Sequence, residues 1–398
     1  MASEPFDVAV VGGGLVGASL VHALSATALR MVWIDRRALS SSVEDPRSTA
    51  LALASQRLLD ALGLWDEIAD DTCAIRSVHV SQQHHFGSVL LTAEDMAVPA
   101  LGYVAPNRAL AAAFGDRIAG ADRVTVMSPD TVRAFTQSED GTRLELDSGE
   151  TVYSRLVVAA DGAQSALREA AGIGLKRDIR FDQHAVVTEV TGRGWPAGRA
   201  WERFCNFGPL ALLPLDADTL SVVYTVPDTQ LDGVLSASDD AFLADIQARA
   251  GFVGRFEAVS QRAHFPLVSV EAEASWRQRL VLLGNAVRTL HPVAGQGFNL
   301  ALRDALTLAE LLGEFAPGQD PAAEHIARRY QGLRRVDQVA TRAGTEAFAR
   351  LFRGDSTLLG HLRGAGLVLT DRAAPLRRRL ARQFMGLAGR LPRVPDPV

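Results

Sequence analysis

Near the N-terminus the chain reads Gly12-Gly13-Gly14-Leu15-Val16-Gly17, directly after an apolar, β-branched run at Phe6–Val11 and before a helical pattern through His22 and Leu24 to about Ala28. Strand, glycine turn and helix in that order constrain the fold more than any other feature, because they are the opening of a dinucleotide-binding βαβ unit. Gly12 permits the tight turn, Gly14 lets the backbone approach a pyrophosphate, and Gly17 lets the helix lie close on the strand. The free N–H groups and positive dipole end of the helix then face the phosphates. A second strand, Arg30–Ile34, ends in Asp35, eighteen residues after Gly17, where a carboxylate accepts hydrogen bonds from an adenosine ribose. Arg36 follows it and completes the unit.

The rest of the 398-residue sequence must supply the second half of such a fold. With 47% hydrophobic side chains it buries a large core as one big domain or two intimately packed ones. A formal charge of -5, with acids scattered among the arginines, argues against a nucleic-acid partner. Lys176 is the only lysine, which excludes a mechanism needing several. Cys73 and Cys205 lack C-x-x-C or histidine-rich spacing, so neither disulfide framework nor metal site is expected and both read as buried free thiols. Glu4 and Asp7 stand where a secretory signal would be basic, so export is not expected. No apolar run reaches the ~20 residues that span a bilayer.

Two further stations repeat the strand-then-glycine pattern. Leu156–Ala160 is an apolar strand that breaks at Asp161-Gly162 and passes through Ser165 into a helix carrying Arg168. Asp161 reads either as a carboxylate meeting a ribose or phosphate-linked chain or as a plain turn; Arg168 serves an anion or a solvated face. In Leu280–Asp304 another buried strand delivers Gly284-Asn285, and His291-Pro292-Val293-Ala294-Gly295-Gln296-Gly297 leads into a helix starting near Phe298. Gly295 and Gly297 let backbone approach a flat ring, and the helix end favours negative charge there by ~0.3–2 kcal/mol.

Between about Asp178 and Val270 the texture changes to short strand-like runs broken by Gly and Pro, among them Gly208–Pro214 and Leu220–Val226. This predicts an antiparallel sheet inserted in an α/β fold. Phe298–Leu312 and Ala322–Phe352 read as long helices.

Together, residues 12–17, 156–168 and 280–304 resemble the FAD fingerprint, the Asp-Gly motif and the second FAD motif of single-component aromatic hydroxylases related to p-hydroxybenzoate hydroxylase. Within that class the chain resembles the ubiquinone-biosynthesis hydroxylases, nearest the branch acting on 2-polyprenyl-6-methoxyphenol. Asp45–Ala52, Glu202-Arg203-Phe204, Gly208–Pro214 and Thr289-Leu290-His291-Pro292 before Gly295–Leu300 carry that resemblance, over nearly the whole chain. One departure is Gly284-Asn285, where most of the class has Gly-Asp; Asn still donates and accepts there.

The resemblance implies a Rossmann-like FAD-binding domain made of 1–75, 101–177 and 271–320, a substrate-binding β-sheet domain made of 76–100 and 178–270, and a C-terminal helical region at 321–398. It implies FAD held by Gly12, Gly14, Gly17, Asp35, Arg36, Arg47, Arg108, Asp161, Gly162, Gly284, Asn285, Gly295, Gly297 and Asn299. His291, Pro292, Gly295, Gln296 and Gly297 would form the loop at the flavin ring, with His291 near the ring or in a structural turn. The implied reaction uses NAD(P)H and O2 to hydroxylate a polyprenyl phenol through a C4a-hydroperoxyflavin, in assembly with other ubiquinone-biosynthesis proteins. His184 and His264 are the candidate bases only through their place in the substrate domain.

A polyprenyl tail keeps its phenol in the bilayer at ~0.8 kcal/mol per buried CH₂, so a cytoplasmic enzyme must meet it on the inner face of the cytoplasmic membrane. Leu376, Leu380, Phe384 and Leu387 make an apolar stripe beside Arg377, Arg378, Arg379, Arg382, Arg390 and Arg393. Such a segment rests on anionic lipid, docks a partner, or closes the core with solvated arginines. The alternatives for function are a sister ring hydroxylase, a halogenase or isoprenoid reductase on the same scaffold, and a prenyl-binding carrier without catalysis.

Overall fold

The computed structural model describes residues 4–395 apart from 39–44, 252, 290–294, 316–317 and 352–356, and does not describe the side chains of 345–351 and 357–359. Leu280–Leu282, Thr151–Ala159, Phe6–Val11, Met31–Ile34 and Val124–Met127 lie side by side, all parallel. Val8, Val10, Met31, Ile34, Val157 and Leu282 are wholly buried, which is why these strands read as continuous apolar runs rather than alternating ones.

Register is what assembles the site. Val11 pairs with Ala159 and Ala159 with Leu282, so the three strands end level. The glycine turn, the Asp-Gly turn and the Gly-Asn turn, spread over some 270 residues of sequence, therefore leave the same sheet edge about 4.8 Å apart. Backbone hydrogen bonds continue the alignment beyond the strands, from Leu283 N–H to Ala159 O at 2.9 Å and from Ala160 N–H to Val11 O at 2.7 Å.

The first helix spans Leu15–Ser25 and buries Leu20, Val21 and Leu24 in one core with Leu302 and Leu306 of the Gln296–Gly313 helix. It stops short of Ala28 because the Ser25 and Thr27 hydroxyls donate to the His22 and Leu24 carbonyls, at 2.7 and 2.6 Å, competing with helical continuation.

A second sheet places Ala263–Ala272, Leu175–Arg193, Thr219–Pro227, Gly208–Pro214, Arg199–Cys205, Ser77–Gln82 and Ser88–Thr92 in that order. It is antiparallel as expected of 178–270, with one exception: Ser77–Gln82 joins Arg199–Cys205 in parallel. A small sheet of Ser48–Ala52, Gly102–Pro106 and Cys73–Ile75 stands between the two large ones.

Helices Glu324–Leu351, Thr357–Arg372 and Ala374–Phe384 close the molecule. A buried ionic network joins the first of them to Gln296–Gly313: Asp304 accepts from Arg334 Nε, and from Gln338 Nε2 at 3.1 Å, while Arg303 Nε donates to Asp337 at 2.8 Å. Among the described residues no helix is long and apolar enough to cross a membrane.

Candidate cofactor and substrate site

A cavity of about 600 Å³ runs from the parallel-sheet edge to the second sheet. Gly13–Val16, Ala160 and Gly162, Leu283–Asn285 and Gly295–Asn299 line one side; Val78, Val80, Glu202, Ala211, Leu213 and Val223 line the other. A smaller recess beside it is bounded by Gly13, Asp35, Arg37, Ala111 and Gly115.

The fingerprint glycines divide into two kinds. A Cβ on Gly12 would strike the Ala160 carbonyl, and one on Gly17 the Gly12 carbonyl, so both are required by backbone packing. Gly14 has open space where a Cβ would stand and lines the cavity; it leaves room for a ligand. Gly13, a variable position of the fingerprint, is needed as well: its N–H donates to Asp35 Oδ2, and a Cβ would collide with that carboxylate. Asp35 also accepts from Arg37 N–H at 2.7 Å.

Arg36 and Arg37 part company here. Arg36 is exposed and lines neither chamber, whereas Arg37 lines both. Arg108 is likewise exposed and outside the lining, but it precedes Ala111 and Gly115 by three and seven residues on the Asn107–Ala119 helix, one turn along the same face. Arg47 does line the cavity, where its Nε and Nη2 reach Asp45 at 2.8 and 2.6 Å and its guanidinium lies 5.0 Å from the Phe265 ring centre. Burial would raise the Asp45 carboxyl, yet hydrogen bonds from Arg47 and Asn107 hold it below the usual range. The fixed pair makes a polar wall rather than a free cation.

Asp161 sits beside Gly162 at the middle turn. Its Oδ2 accepts from Leu167 N–H at 3.4 Å, while its Oδ1 is buried without a partner among the described residues. Burial pushes its carboxyl above the ordinary carboxylate range, against the pull of Ser165 and of backbone N–H groups. Arg168 lines neither the cavity nor a solvated face: 3% exposed, it donates to the Ala163 carbonyl at 2.9 Å and to Ala286 O at 3.5 Å, tying the Asp-Gly loop to the Gly-Asn loop.

Gly284 has φ +57 and Gly295 φ +59, both in the left-handed region that favours glycine. Asn285 is exposed and lines the cavity. The Gln296–Gly313 helix begins at the cavity wall, so the free N–H groups of its first turn face the cavity region. Asn299, expected to hold cofactor, spends its whole side chain on the protein: Oδ1 accepts from Ala52 N–H and Ser55 Oγ, and Nδ2 donates to the Ala50 and Gly295 carbonyls. An amide has four such places and all are filled; its role is to position Gly295. His291 and Pro292 lie outside the described residues.

Neither histidine proposed as a base reaches the cavity. His184 bonds Asp228 at 3.0 Å and stacks edge-on against His264, and neither lines the site. On the apolar side of the cavity the ionisable group among the described residues is Glu202, in the Arg199–Cys205 strand, 9% exposed and with no described partner at Oε1. An acid inside the apolar stretch Ala200-Trp201-Glu202-Arg203-Phe204 was the available signal.

FAD fits these residues: Gly14 leaves a cradle that a Cβ would fill, Asp161 offers an orphaned acceptor, and the helix start at Gly295 adds free donors. Residues 5–343 match the family model described as FAD binding domain, so the fold and site define an FAD-dependent monooxygenase, with NAD(P)H and O2 as co-substrates. The chain belongs to this family, in its ubiquinone-hydroxylase group. It is 36% identical to ubiquinone hydroxylase UbiL of Rhodospirillum rubrum, covering 97% of this chain and 90% of that protein. It is 31% identical to 3-demethoxyubiquinol 3-hydroxylase of Escherichia coli, covering 97% and 100%. The fold matches the crystal structure of p-nitrophenol 4-monooxygenase PnpA from Pseudomonas putida, with a TM-score of 0.79 over 97% of this chain and 99% of that one at 18% identity.

Proposed function

We propose that this enzyme hydroxylates the ring of a polyprenylated phenol, 2-polyprenyl-6-methoxyphenol being the substrate favoured by Gly284-Asn285 in the second FAD motif. The observation that carries the reading is the single cavity with two unlike walls. One wall is built of glycine turns and helix N–H groups suited to a dinucleotide; the other is a floor of Val78, Val80, Ala211, Leu213 and Val223 suited to an apolar aromatic ring and its tail. Bound FAD supplies electron transfer from NAD(P)H and oxygen activation.

The chain's own residues position and exclude. Gly14 would admit the pyrophosphate to the helix start, Asp161 would offer its unpaired Oδ1 to a hydroxyl of the cofactor, and the first turn after Gly295 would offer N–H groups to negative charge on the reduced ring. Ala381 and Phe384 of the C-terminal helix complete the cavity wall, keeping water from the reacting ring. A sister ring position is the second reading, favoured by the full-length similarity to 3-demethoxyubiquinol 3-hydroxylase.

The setting proposed is the cytoplasmic face of the membrane. Of the three readings of the C-terminal stripe, closing the core accounts for most of it: Leu380, Phe384 and Leu387 pack against Leu367 and Met385. What remains outward is Leu362, Leu369 and Leu376, at 60%, 63% and 46% exposure, beside exposed Arg372, Arg378 and Arg379. Apolar tips among arginines suit anionic lipid. Co-sedimentation with anionic vesicles, lost in neutral ones, is the expected result; equal recovery in both supernatants contradicts it.

Deleting the gene in a ubiquinone-producing bacterium and identifying the accumulated precursor tests the function. Accumulation of 2-polyprenyl-6-methoxyphenol, cleared by complementation, is expected; a precursor already carrying that hydroxyl assigns the sister position, and an unchanged quinone pool overturns the reading.

A further inference from the structure

We infer that Glu202 is the proton acceptor for the substrate's phenolic hydroxyl. The inference rests on the phenol reading above and gives it the base that neither His184 nor His264 provides.

Glu202 stands in one row across four neighbouring strands. Val80 pairs with Glu202, Glu202 with Ala211, and Ala211 with Val223, and all four residues line the cavity. In the next row Val78, Ala200 and Leu213 also face it. A lone carboxyl in an apolar floor is costly, and structural carboxyls in such places are hydrogen-bonded or ion-paired. Glu202 is neither: among the described residues no hydrogen bond or ion pair engages it, although Arg203 is its chain neighbour, because the pleat sends Arg203 to the other face, where it donates to Ser81 Oγ at 3.1 Å. The pairing that sets Arg203 beside Ser81 also sets Trp201 beside His79 and Arg199 beside Ser77, so His79 and Arg199 share that reverse face. Cys205 follows the same alternation, and Tyr224 turns to Asp245 at 3.0 Å.

Among the described residues the remaining charged groups on the lining are Arg37, Asp45 and Arg47, on the nucleotide side of the cavity, with Arg47 already committed to Asp45. From the closing helix only Ala381 and Phe384 reach the lining; Arg377 turns to Asp95 at 3.1 Å. Among the described residues Glu202 thus has the apolar floor to itself, on the wall opposite Gly295–Phe298, with the space for an aromatic ring between them.

The step is a proton transfer. The phenolic O–H bond breaks, a carboxylate oxygen of Glu202 forms the new O–H bond, and the electron pair stays on the substrate oxygen as phenolate. The ring becomes electron-rich at the ortho and para carbons, and the oxidant is the dioxygen already required by the monooxygenase activity. No electron leaves the substrate in this step. Burial pushes the Glu202 carboxyl up to about 7, so near neutral pH it is poised between accepting and returning a proton.

The test uses the FAD-loaded enzyme with a short-tailed 2-alkenylphenol and reads three things: binding of the phenol by its ultraviolet difference spectrum, the pH–rate profile with NAD(P)H, and the infrared band of the protonated carboxyl. A carboxyl near 7 takes the proton from a phenol near ~10 only as the oxygen is transferred, so wild type is expected to bind the neutral phenol and to lose kcat as pH drops through about 7, in step with the carboxyl band. Glu202→Gln is expected to keep its flavin and its phenol binding, to lack that band, and to lower kcat on the order of 10²-fold with the acid limb of the rate profile gone. Glu202→Asp is expected to restore part of the rate. An unchanged kcat and acid limb in Glu202→Gln overturns the assignment and leaves the phenol reading standing. Failure of wild type to bind the phenol overturns both.

Discussion

Asn299 reaches across 249 residues to Ala50, donating from Nδ2 to its carbonyl at 2.8 Å. Oδ1 meanwhile accepts from the Ala52 N–H at 2.7 Å. One side chain thereby fastens the helix that begins at Gly295 to the strand Ser48–Ala52, and the cofactor-facing turn is held from behind. Asn299→Ala leaves buried backbone groups unpaired and is expected to cost about 2–4 kcal/mol in denaturant unfolding, with faster loss of flavin. Asn299→Asp should do nearly as badly, since a carboxylate cannot donate to the Ala50 and Gly295 carbonyls.

The glycines of the first turn should separate into folding and binding residues. Gly14→Ala meets open space and is expected to fold within about 1 kcal/mol of wild type, yet to weaken FAD by tenfold or more, about 1.4 kcal/mol. Gly12→Ala, at φ +117 and against the Ala160 carbonyl, is expected to lose about 2 kcal/mol or more of stability. Thermal unfolding of flavin-free protein, paired with fluorescence titration of FAD, reads the two effects apart.

How much of this was legible follows from which interactions are local. The turn at Gly12–Gly17 and the helix after it depend on neighbours in sequence, and the strand Phe6–Val11 stands as read. The level ending of three distant strands was implied by the family likeness rather than by any local pattern. Gly13 was passed over because its need for glycine comes from Asp35, twenty-two residues away. No local pattern marks Asn299 as structural, because three of its four partners, Ala50, Ala52 and Ser55, lie 244 to 249 residues away, and none marks Glu202 as a site residue, because isolation inside an apolar floor is a property of four paired strands together. His291 and Pro292 were legible only as a motif.

Asp161 ties stability to pH. Its folded carboxyl lies above its ordinary value, so the folded state binds the proton more tightly than the unfolded chain does. Sign follows directly: no penalty exists below the unfolded pKa, and a destabilising contribution grows as pH rises through the folded one and persists above it. Asp161→Asn is therefore expected to make the flavin-free protein more stable at neutral pH while weakening FAD, and the stability difference should vanish in acid. Urea midpoints for both proteins across that range check it.

The buried network between the two long helices should matter for stability alone. Asp304, 1% exposed, answers Arg334, Gln338 and Arg288. Asp304→Ala takes the carboxylate from Arg288 and leaves buried Arg334 with Asp337 alone, and is expected to cost about 3–5 kcal/mol. The folded fraction should retain wild-type kcat per bound flavin.

The most direct test of the central claim is the fate of oxygen. Purified enzyme with FAD, NAD(P)H, a short-tailed 2-alkenylphenol and isotopically labelled dioxygen is analysed by mass spectrometry of the product. The account predicts one labelled oxygen atom on the aromatic ring and an intact alkenyl chain. A reduced double bond, or a hydroxyl carrying unlabelled oxygen from water, would contradict it.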